Sequence, residues 1–489
     1  MDTNIGAKER VTQNRLIGLF KNVLKYTYLG NWETREDNAN IEEKLLTAYL
    51  SRRGYTDKEI RSSIVKLKQS ANSLGGGLYN ANKEVYTFLR YGVNIQAEVT
   101  EKKKMVHLID WANPMENDFQ IAEEVTIQGA SDRRPDLVVY VNGIALAVIE
   151  LKRSTVSAHE GIRQNIRNQQ DGYIPRFFTT IQLLFAGNDT EGLHYGVIKT
   201  PEKFWLRWKE PCGEPCQPSH FTAKEYPNEL DRSVLQFFEP VRLLEYIHDF
   251  IIFDGGIKKT ARPNQYFAVK AAQPRVRKKQ NGIIWHSQGS GKSLTMVWLA
   301  QWIRENVSDA RVVIITDRDE LDKQIESGFK DVGEQIQRAK SGGKLIEMLN
   351  AAEPWLICTL IHKFGNKNDS DAISVGNKKA SKSLDLYLEE LAKSLPADFC
   401  AKGNIYVFID ECHRTQGGML HEAMKHIMGN DVMLIGFTGT PLLHTDKKKS
   451  IETFGSYIHS YKFNEAVKDK VILDLRYDCL LYTSPSPRD

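Results

Sequence analysis

Residues 283–293 read Ile-Ile-Trp-His-Ser-Gln-Gly-Ser-Gly-Lys-Ser, an apolar run that enters a glycine-rich turn and leaves it into the helical pattern of residues 294–299. Strand, turn and helix in that order suit phosphate. Gly289 and Gly291 let the backbone fold back around Ser290, so that the N–H groups of this loop can bind phosphate oxygens, and the start of the next helix adds its dipole. Lys292 can then reach β- and γ-phosphates, and the Ser293 hydroxyl can hold Mg²⁺. The usual pattern opens on glycine where this chain has His286. Downstream, Asp410 and Glu411 close the apolar run 405–409. Ligands of parallel sheets lie at the carboxyl ends of the strands. Asp410 is therefore placed to complete the Mg²⁺ shell through water, and Glu411 to orient and deprotonate the attacking water. Thr438, Gly439 and Thr440 follow the next apolar run, 432–437, where hydroxyls and a turn could sense the terminal phosphate.

A second constellation lies upstream. Residues 134–141 predict a strand, Asn142-Gly143 a two-residue hairpin turn, and residues 144–152 the returning strand. Asp136 begins one strand and Glu150 ends its partner, so the hairpin brings both carboxylates to one end. Lys152 stands two residues beyond Glu150 and shares its face. Two carboxylates and a lysine beside apolar strands suit Mg²⁺, with Asp136 and Glu150 as ligands for activation of water and stabilisation of a pentavalent phosphate. The spacing Pro-Asp-x13-Glu-x-Lys resembles the PD-(D/E)xK nuclease core. Residues 159–173 predict a helix with Gln169 and Tyr173 one turn apart. Gln-x-x-x-Tyr here resembles the extra motif of RecB-like nucleases, which implies that Gln169 and Tyr173 contact DNA beside the metal.

The elements that must position these groups fall into blocks. Residues 41–50 have helical spacing, Gly75, Gly76 and Gly77 mark a loop, and from about residue 80 the period shortens toward strands at 106–109, 119–122 and 124–127. Residues 180–186 predict a buried strand and residues 204–209 a half-buried one, while residues 230–253 predict a helical connector. After the phosphate loop, apolar runs at 311–317, 355–359, 405–410 and 432–437 alternate with helices, which predicts a parallel sheet covered on both faces. The fold class is α/β.

At 489 residues the chain suggests two to four domains, and 41% hydrophobic with 26% charged residues is the balance of a soluble globular protein. A net charge of +4 permits nucleic-acid binding through local patches without arguing for it. No segment supplies the roughly 18 uncharged apolar residues of a membrane span, and the start has no basic-then-apolar signal. A cytoplasmic location with no membrane partner is expected. The six cysteines are scattered, as in a reducing compartment. Cys212, Cys216 and His220 have zinc-compatible spacing, but no fourth ligand is evident and Pro211, Pro215 and Pro218 predict a loop.

Gly-Ser-Gly-Lys-Ser at 289–293, Asp-Glu-Cys-His at 410–413 and Thr-Gly-Thr-Pro at 438–441 together resemble superfamily 2 helicase and translocase motors. That resemblance makes Gln265, upstream of the loop, an adenine-reading residue, and puts DNA-backbone segments at 317–322 and 359–364. A PD-(D/E)xK pattern upstream of such a motor, with the local sequences 284–293 and 410–414, looks like the R subunit of a type I restriction enzyme; His286 is then a family trait. The implied layout is a nuclease domain over 1–225, a helical connector over 226–260, the first RecA-like lobe over 261–478 and a non-native adapter-like tail over 479–489, without the second lobe. The implied activity is ATP- and Mg²⁺-dependent translocation and cleavage of double-stranded DNA, with methyltransferase (M) and specificity (S) subunits as partners. A stand-alone nuclease-helicase of DNA repair or phage defence, or an inactive fragment that binds DNA or partners, are the other readings.

Overall fold

The computed structural model describes residues 9–96, 103–211, 219–316, 336–339, 342–351, 353–360, 399, 401–412, 431–440 and 454–473. Two seven-stranded sheets organise them.

The first sheet is mixed and runs in the order Thr27–Asn31, Phe119–Glu123, Leu137–Val141, Ile144–Leu151, Leu183–Asn188, Gly192–Gly196, Leu206–Arg207. Its two central strands, Leu137–Val141 and Ile144–Leu151, are buried along their whole length. Apart from Tyr140, whose hydroxyl donates to the Ala39 carbonyl at 3.1 Å, and Glu150, they are made of Val, Ile, Leu and Ala, as burial on both faces demands. The hairpin forms as the sequence predicts. Asn142 and Gly143 have φ of 54° and 79°, the two positive values that a tight turn of matching twist requires. The Asn142 amide is itself a fixture. It accepts from the Asp118 N–H at 2.7 Å and donates to the Leu108 carbonyl at 2.9 Å and Asn117 Oδ1 at 2.8 Å. Leu137 pairs with Ile149, so Asp136 and Glu150 meet at the other end. The helix Ala158–Asn168 crosses over to the parallel strand Leu183–Asn188 and packs on that pair.

The second sheet is parallel throughout, in the order Gln337–Ala339, Leu356–Leu360, Ala310–Thr316, Asn404–Ile409, Met433–Thr438, Gly282–His286, Tyr457–Tyr461. The four predicted strands after the phosphate loop fall within one residue of their expected bounds. The short outer strand Gln337–Ala339 and the edge strand Tyr457–Tyr461 are additional.

Between the sheets the expectations need correction. Residues 77–91 form a helix, not the start of strand structure, and it buries Leu78, Ala81, Val85 and Leu89. Residues 124–127 form no strand; Glu124 has a φ of 50° and turns the chain away. The connector is not one helix. It breaks into Glu229–Phe237 and Pro240–Asp249, because Pro240 has no N–H to continue the first helix, and 251–253 belong to a hairpin of Ile251–Asp254 with Ile257–Thr260. An aromatic chain runs through this region: Phe185 against Phe237 at 4.9 Å, Phe237 against Tyr246 at 4.7 Å, Tyr246 against Phe250 at 5.6 Å and Phe250 against Trp298 at 6.3 Å. It joins the first sheet to the helix behind the phosphate loop. Lys258 in the hairpin is fully buried, and its ammonium donates to Asn82 Oδ1 at 2.8 Å and Gln182 Oε1 at 2.6 Å.

Cys212, Cys216, the segments 317–322 and 361–364, and the tail 479–489 lie outside the described residues. Among the described residues no helix is long and apolar enough to cross a membrane.

A Cβ at Gly143 would come within 2.6 Å of Leu45 Cβ and 2.8 Å of the Glu42 carbonyl, at a φ that L-residues avoid. Gly143→Ala should therefore lose at least about 2 kcal/mol of stability in chemical denaturation.

Candidate functional site

At the far end of the hairpin the sheet, the first helix and the crossover helix bring three predicted residues together. Glu150 is fully buried, and neither of its carboxylate oxygens has a hydrogen-bond partner. Asp136 accepts the Leu151 N–H at 2.6 Å. The Lys152 ammonium donates to the Leu151 carbonyl at 2.8 Å and stands 3.4 Å from Glu9 Oε1. Burial pushes the Asp136 carboxyl up to about 6, with Lys152 and the Leu151 N–H opposing it. Burial, then the charge of Asp136, holds Glu150 well above the ordinary carboxylate range. Burial works against the Lys152 charge, but Asp136, Glu150 and Glu9 outweigh it and keep its pKa above the usual lysine value. Two crowded acids with unspent oxygens are a donor set for a small hard cation, and the orphaned oxygens of Glu150 fit Mg²⁺ at Asp136 and Glu150.

The sequence missed the first helix, Glu9–Asn22, as part of this site. Gln13 of that helix donates to the Asp136 carbonyl at 3.1 Å and to Glu123 Oε2 at 3.4 Å. No motif marks these residues, because they meet the hairpin only through the fold.

Gln169 and Tyr173 do not share a helix. The helix ends at Asn168 and Gln169 is its cap. The Gln169 amide is spent internally, accepting the Lys199 N–H at 2.7 Å and donating to the Asn165 carbonyl at 2.9 Å. Tyr173 lies beyond the helix, with the Arg133 guanidinium 4.2 Å from its ring centroid. The side chains that do stand one turn apart beside Lys152 are Gln164 and Asn168. They line a cavity of 290 Å³ together with Arg133, Lys152, Glu160 and Arg167.

The second site lies at the carboxyl ends of the parallel sheet. Gly289 and Gly291 have φ of 82° and 88°, and Gly291 opens the helix Lys292–Asn306. Ser290 is buried and its hydroxyl donates to the Ser287 carbonyl. His286 is also buried, with Nε2 2.9 Å from Nδ1 of His459 on the edge strand; burial keeps both rings neutral by lowering their pKa values. Gln265 lies against the phosphate loop. Its Oε1 accepts the Arg262 N–H at 2.8 Å and its Nε2 donates to the Gly291 carbonyl at 2.8 Å, so it braces the phosphate loop. Lys292 stands 3.8 Å from Glu411, whose backbone is held at a φ of 48°. Asp410, 5% exposed, directly follows the strand Asn404–Ile409, and its N–H donates to the Ile315 carbonyl at 3.0 Å. Ser293 takes the second position of the helix. The strand Met433–Thr438 adjoins the strand Gly282–His286. That adjacency carries Thr438, Gly439 and Thr440 onto the loop, where Gly439 N–H lies 3.4 Å from Glu411 Oε2 and the Thr440 N–H donates to Thr438 Oγ1 at 3.3 Å.

Residues 7–203 match the family model described as type I restriction enzyme R protein N terminus, and residues 264–484 match the model for the SWI2/SNF2 ATPase. The chain is similar to type I restriction enzyme R subunits over residues 7–203 and to SWI2/SNF2 ATPases over residues 264–484. It is 26% identical over 97% of its length to a Methanocaldococcus jannaschii protein named as the type I restriction enzyme MjaIXP endonuclease subunit, and spans 46% of that protein. It is 27% identical over 84% of its length to the HindI endonuclease subunit of Haemophilus influenzae, and spans 40% of it. The chain thus spans less than half the length of these relatives. A SWI2/SNF2 ATPase core of Sulfolobus solfataricus, solved with double-stranded DNA, superposes with a TM-score of 0.27 at 16% identity, over 42% of this chain and 38% of that one. That likeness is slight.

Two predictions follow from this geometry. A carboxyl whose folded pKa is raised contributes stability below its unfolded value, and that contribution is lost as pH rises through the folded value. Without metal, Asp136 and Glu150 should therefore cost stability near neutral pH and not at about pH 4. Glu150→Gln should raise the melting temperature in chelator at neutral pH, by about 1–2 kcal/mol of stability, and abolish the stabilisation that Mg²⁺ gives the unaltered chain. At the second site, a Cβ on Gly439 would lie 2.7 Å from Lys292 Nζ and 3.3 Å from the Gln288 nitrogen. Gly439→Ala should weaken nucleotide binding about tenfold, equivalent to about 1.4 kcal/mol, with the melting temperature unchanged.

Proposed function

We propose that this chain carries the nuclease and the ATP-binding motor lobe of a type I restriction R subunit. The whole protein would act on unmodified double-stranded DNA, with methyltransferase and specificity subunits, in the cytoplasm. The observation that carries this reading is one chain holding both the buried Glu150 with half-buried Asp136 beside Lys152 and a phosphate loop whose Lys292 stands against Glu411. Neither site alone would distinguish an R subunit from a simple nuclease or a simple motor.

In the nuclease, Asp136 and Glu150 would hold Mg²⁺, which when bound supplies an activated water and positive charge at the phosphate. The chain's own residues do the rest. Glu150 is kept dry by the strand core, so its oxygens have no competing water. Lys152 is charged and held at the mouth of the site by Glu9 and the Leu151 carbonyl. Exchanging the Glu9 carboxylate for a DNA phosphate would place its ammonium on the charge that grows during cleavage. In the motor, Lys292 would leave Glu411 for the β- and γ-phosphates. Ser293 and Asp410 would hold the Mg²⁺ that accompanies ATP. Glu411, freed of its ion pair, would orient the attacking water and take its proton. Gly439 lies against Glu411 and the loop's lysine, so the turn Thr438, Gly439 and Thr440 would be placed to pass the state of the γ-phosphate onward.

The test separates the sites. In the R subunit assembled with its partner subunits, Lys152→Ala should abolish DNA cleavage and leave ATP hydrolysis within about twofold of the unaltered complex. Lys292→Ala should abolish ATP hydrolysis, and cleavage with it. Joint loss of both activities in Lys152→Ala would contradict two separate sites.

A further inference from the structure

Where the usual phosphate pattern has glycine, His286 places a side chain among buried polar groups that no step of the motor uses. His286 is fully buried, Asn264 is 8% exposed and His459 5%. Each comes from a different element. Asn264 lies in the first turn of the helix Pro263–Arg277, and His286 ends the strand Gly282–His286. His459 belongs to the edge strand Tyr457–Tyr461, which pairs with that strand. Asn264 Nδ2 lies 3.4 Å from both the Ser290 carbonyl and His286 Nδ1, and His286 Nε2 lies 2.9 Å from His459 Nδ1.

These contacts have one consistent polarity. A carbonyl only accepts, so the Asn264 atom that serves Ser290 is its NH₂. The second hydrogen of that NH₂ is directed at His286 Nδ1, which must accept it. The one proton of this neutral ring therefore sits on Nε2 and is donated to His459 Nδ1. The direction matters to a ligand. Three carbonyls of the loop are taken up inside the protein: Ser287 by the Ser290 N–H at 3.2 Å, Ser290 by Asn264, and Gly291 by Gln265 at 2.8 Å and the Thr295 N–H at 3.2 Å. Carbonyls turned outward would repel a triphosphate, and N–H groups attract it.

Resting on the ATP-site reading, we propose that Asn264, His286 and His459 form one directional hydrogen-bond relay that sets the polarity of the phosphate loop. His459 accepts from His286, which leaves His286 Nδ1 bare. That bare nitrogen orients the Asn264 amide, and the amide holds the Ser290 carbonyl inward, away from the phosphates. The three are positioning residues. They act on the nucleotide through Ser290 and carry no chemistry themselves. Reversal at any member reverses the next, because a proton on His286 Nδ1 would face the Asn264 NH₂ donor to donor.

The experiment titrates the 489-residue chain with N-methylanthraniloyl-ATP and Mg²⁺ near neutral pH, with the folded fraction of each variant read by circular dichroism. His459→Leu should weaken binding about tenfold, and His459→Asn, whose Oδ1 returns an acceptor to the place of Nδ1, should restore it to within about twofold. The double variant His286→Leu with His459→Leu separates ligand from scaffold. It removes both partners of a buried hydrogen bond, so it should melt close to the unaltered chain, yet it should bind about tenfold more weakly. Asn264→Ala should cost the same about tenfold alone and nothing further when added to the double variant, since the three act as a unit. In the chain labelled with ¹⁵N-histidine, both His286 and His459 should show the neutral form protonated at Nε2. Affinity within about twofold in the double variant, losses that add in the triple, losses that only follow the folded fraction, or a proton on His286 Nδ1 would each overturn the relay. Lys292→Ala keeps the two readings apart. If it binds as the unaltered chain does, or if the unaltered chain does not bind, the ATP-site reading falls and the relay with it; if only the relay variants bind normally, the relay alone falls.

Discussion

A carboxylate without a partner in a dry place is the constraint on which the first half of this molecule depends. Glu150 ends a strand buried at every residue, and the fold gives its oxygens no donor. Isolated charge in such surroundings is costly, and the carboxyl responds by holding its proton until a cation arrives. Everything around it serves that state. The Asn142-Gly143 turn sets the register that places Asp136 across from it. The first helix brings Gln13 to Asp136 and Glu9 to Lys152. The stability given up at this spot is small against the apolar core of the strands.

The second half answers a related problem with a different device. Here the ligand is a string of phosphates, and the protein supplies N–H groups at a helix start. The charges of the free site are quenched within it, Lys292 against Glu411. Gly439 is needed because the Thr-Gly-Thr turn lies on the lysine itself. Strand order explains this contact: the strand ending at Thr438 is hydrogen-bonded to the strand that enters the phosphate loop. The two halves are joined by packing. Aromatic rings from Phe185 to Trp298 run between them, and the buried Lys258 ammonium is bonded to Asn82 and Gln182 of the first half.

Much of this was legible in the sequence because the signals were local. The hairpin is announced by Asn142-Gly143 between apolar runs, and the strands of the parallel sheet by runs of Val and Ile that must be buried on both faces. The misses have physical reasons. Helix 77–91 buries Leu78, Ala81, Val85 and Leu89 at helical spacing, but Asn80, Asn82 and Thr87 interrupt the pattern; Asn82 is there because its amide meets Lys258 across the connector. The strand Gln337–Ala339 has no apolar run, being a short outer strand completed by its neighbour. Gln169 and Tyr173 fit a spacing rule, yet the helix stops at Asn168 and Gln169 turns inward. Arg133, Gln164 and Asn168 carried no signal of their own, since a loop and a helix converge on them only in three dimensions. Glu9 is the same case.

The acid pair of Asp136 and Glu150 offers the most direct measurement. Calorimetric titration of Mg²⁺ into the nucleotide-free chain, in buffers of different ionisation enthalpy, reads both the affinity and the protons released. If Asp136 and Glu150 hold their protons in the free site, Mg²⁺ binding should release protons, more at about pH 6 than at about pH 8. Asp136→Asn should remove both the release and the binding. Binding of equal affinity in Asp136→Asn, with no proton release from the unaltered chain, would contradict the account.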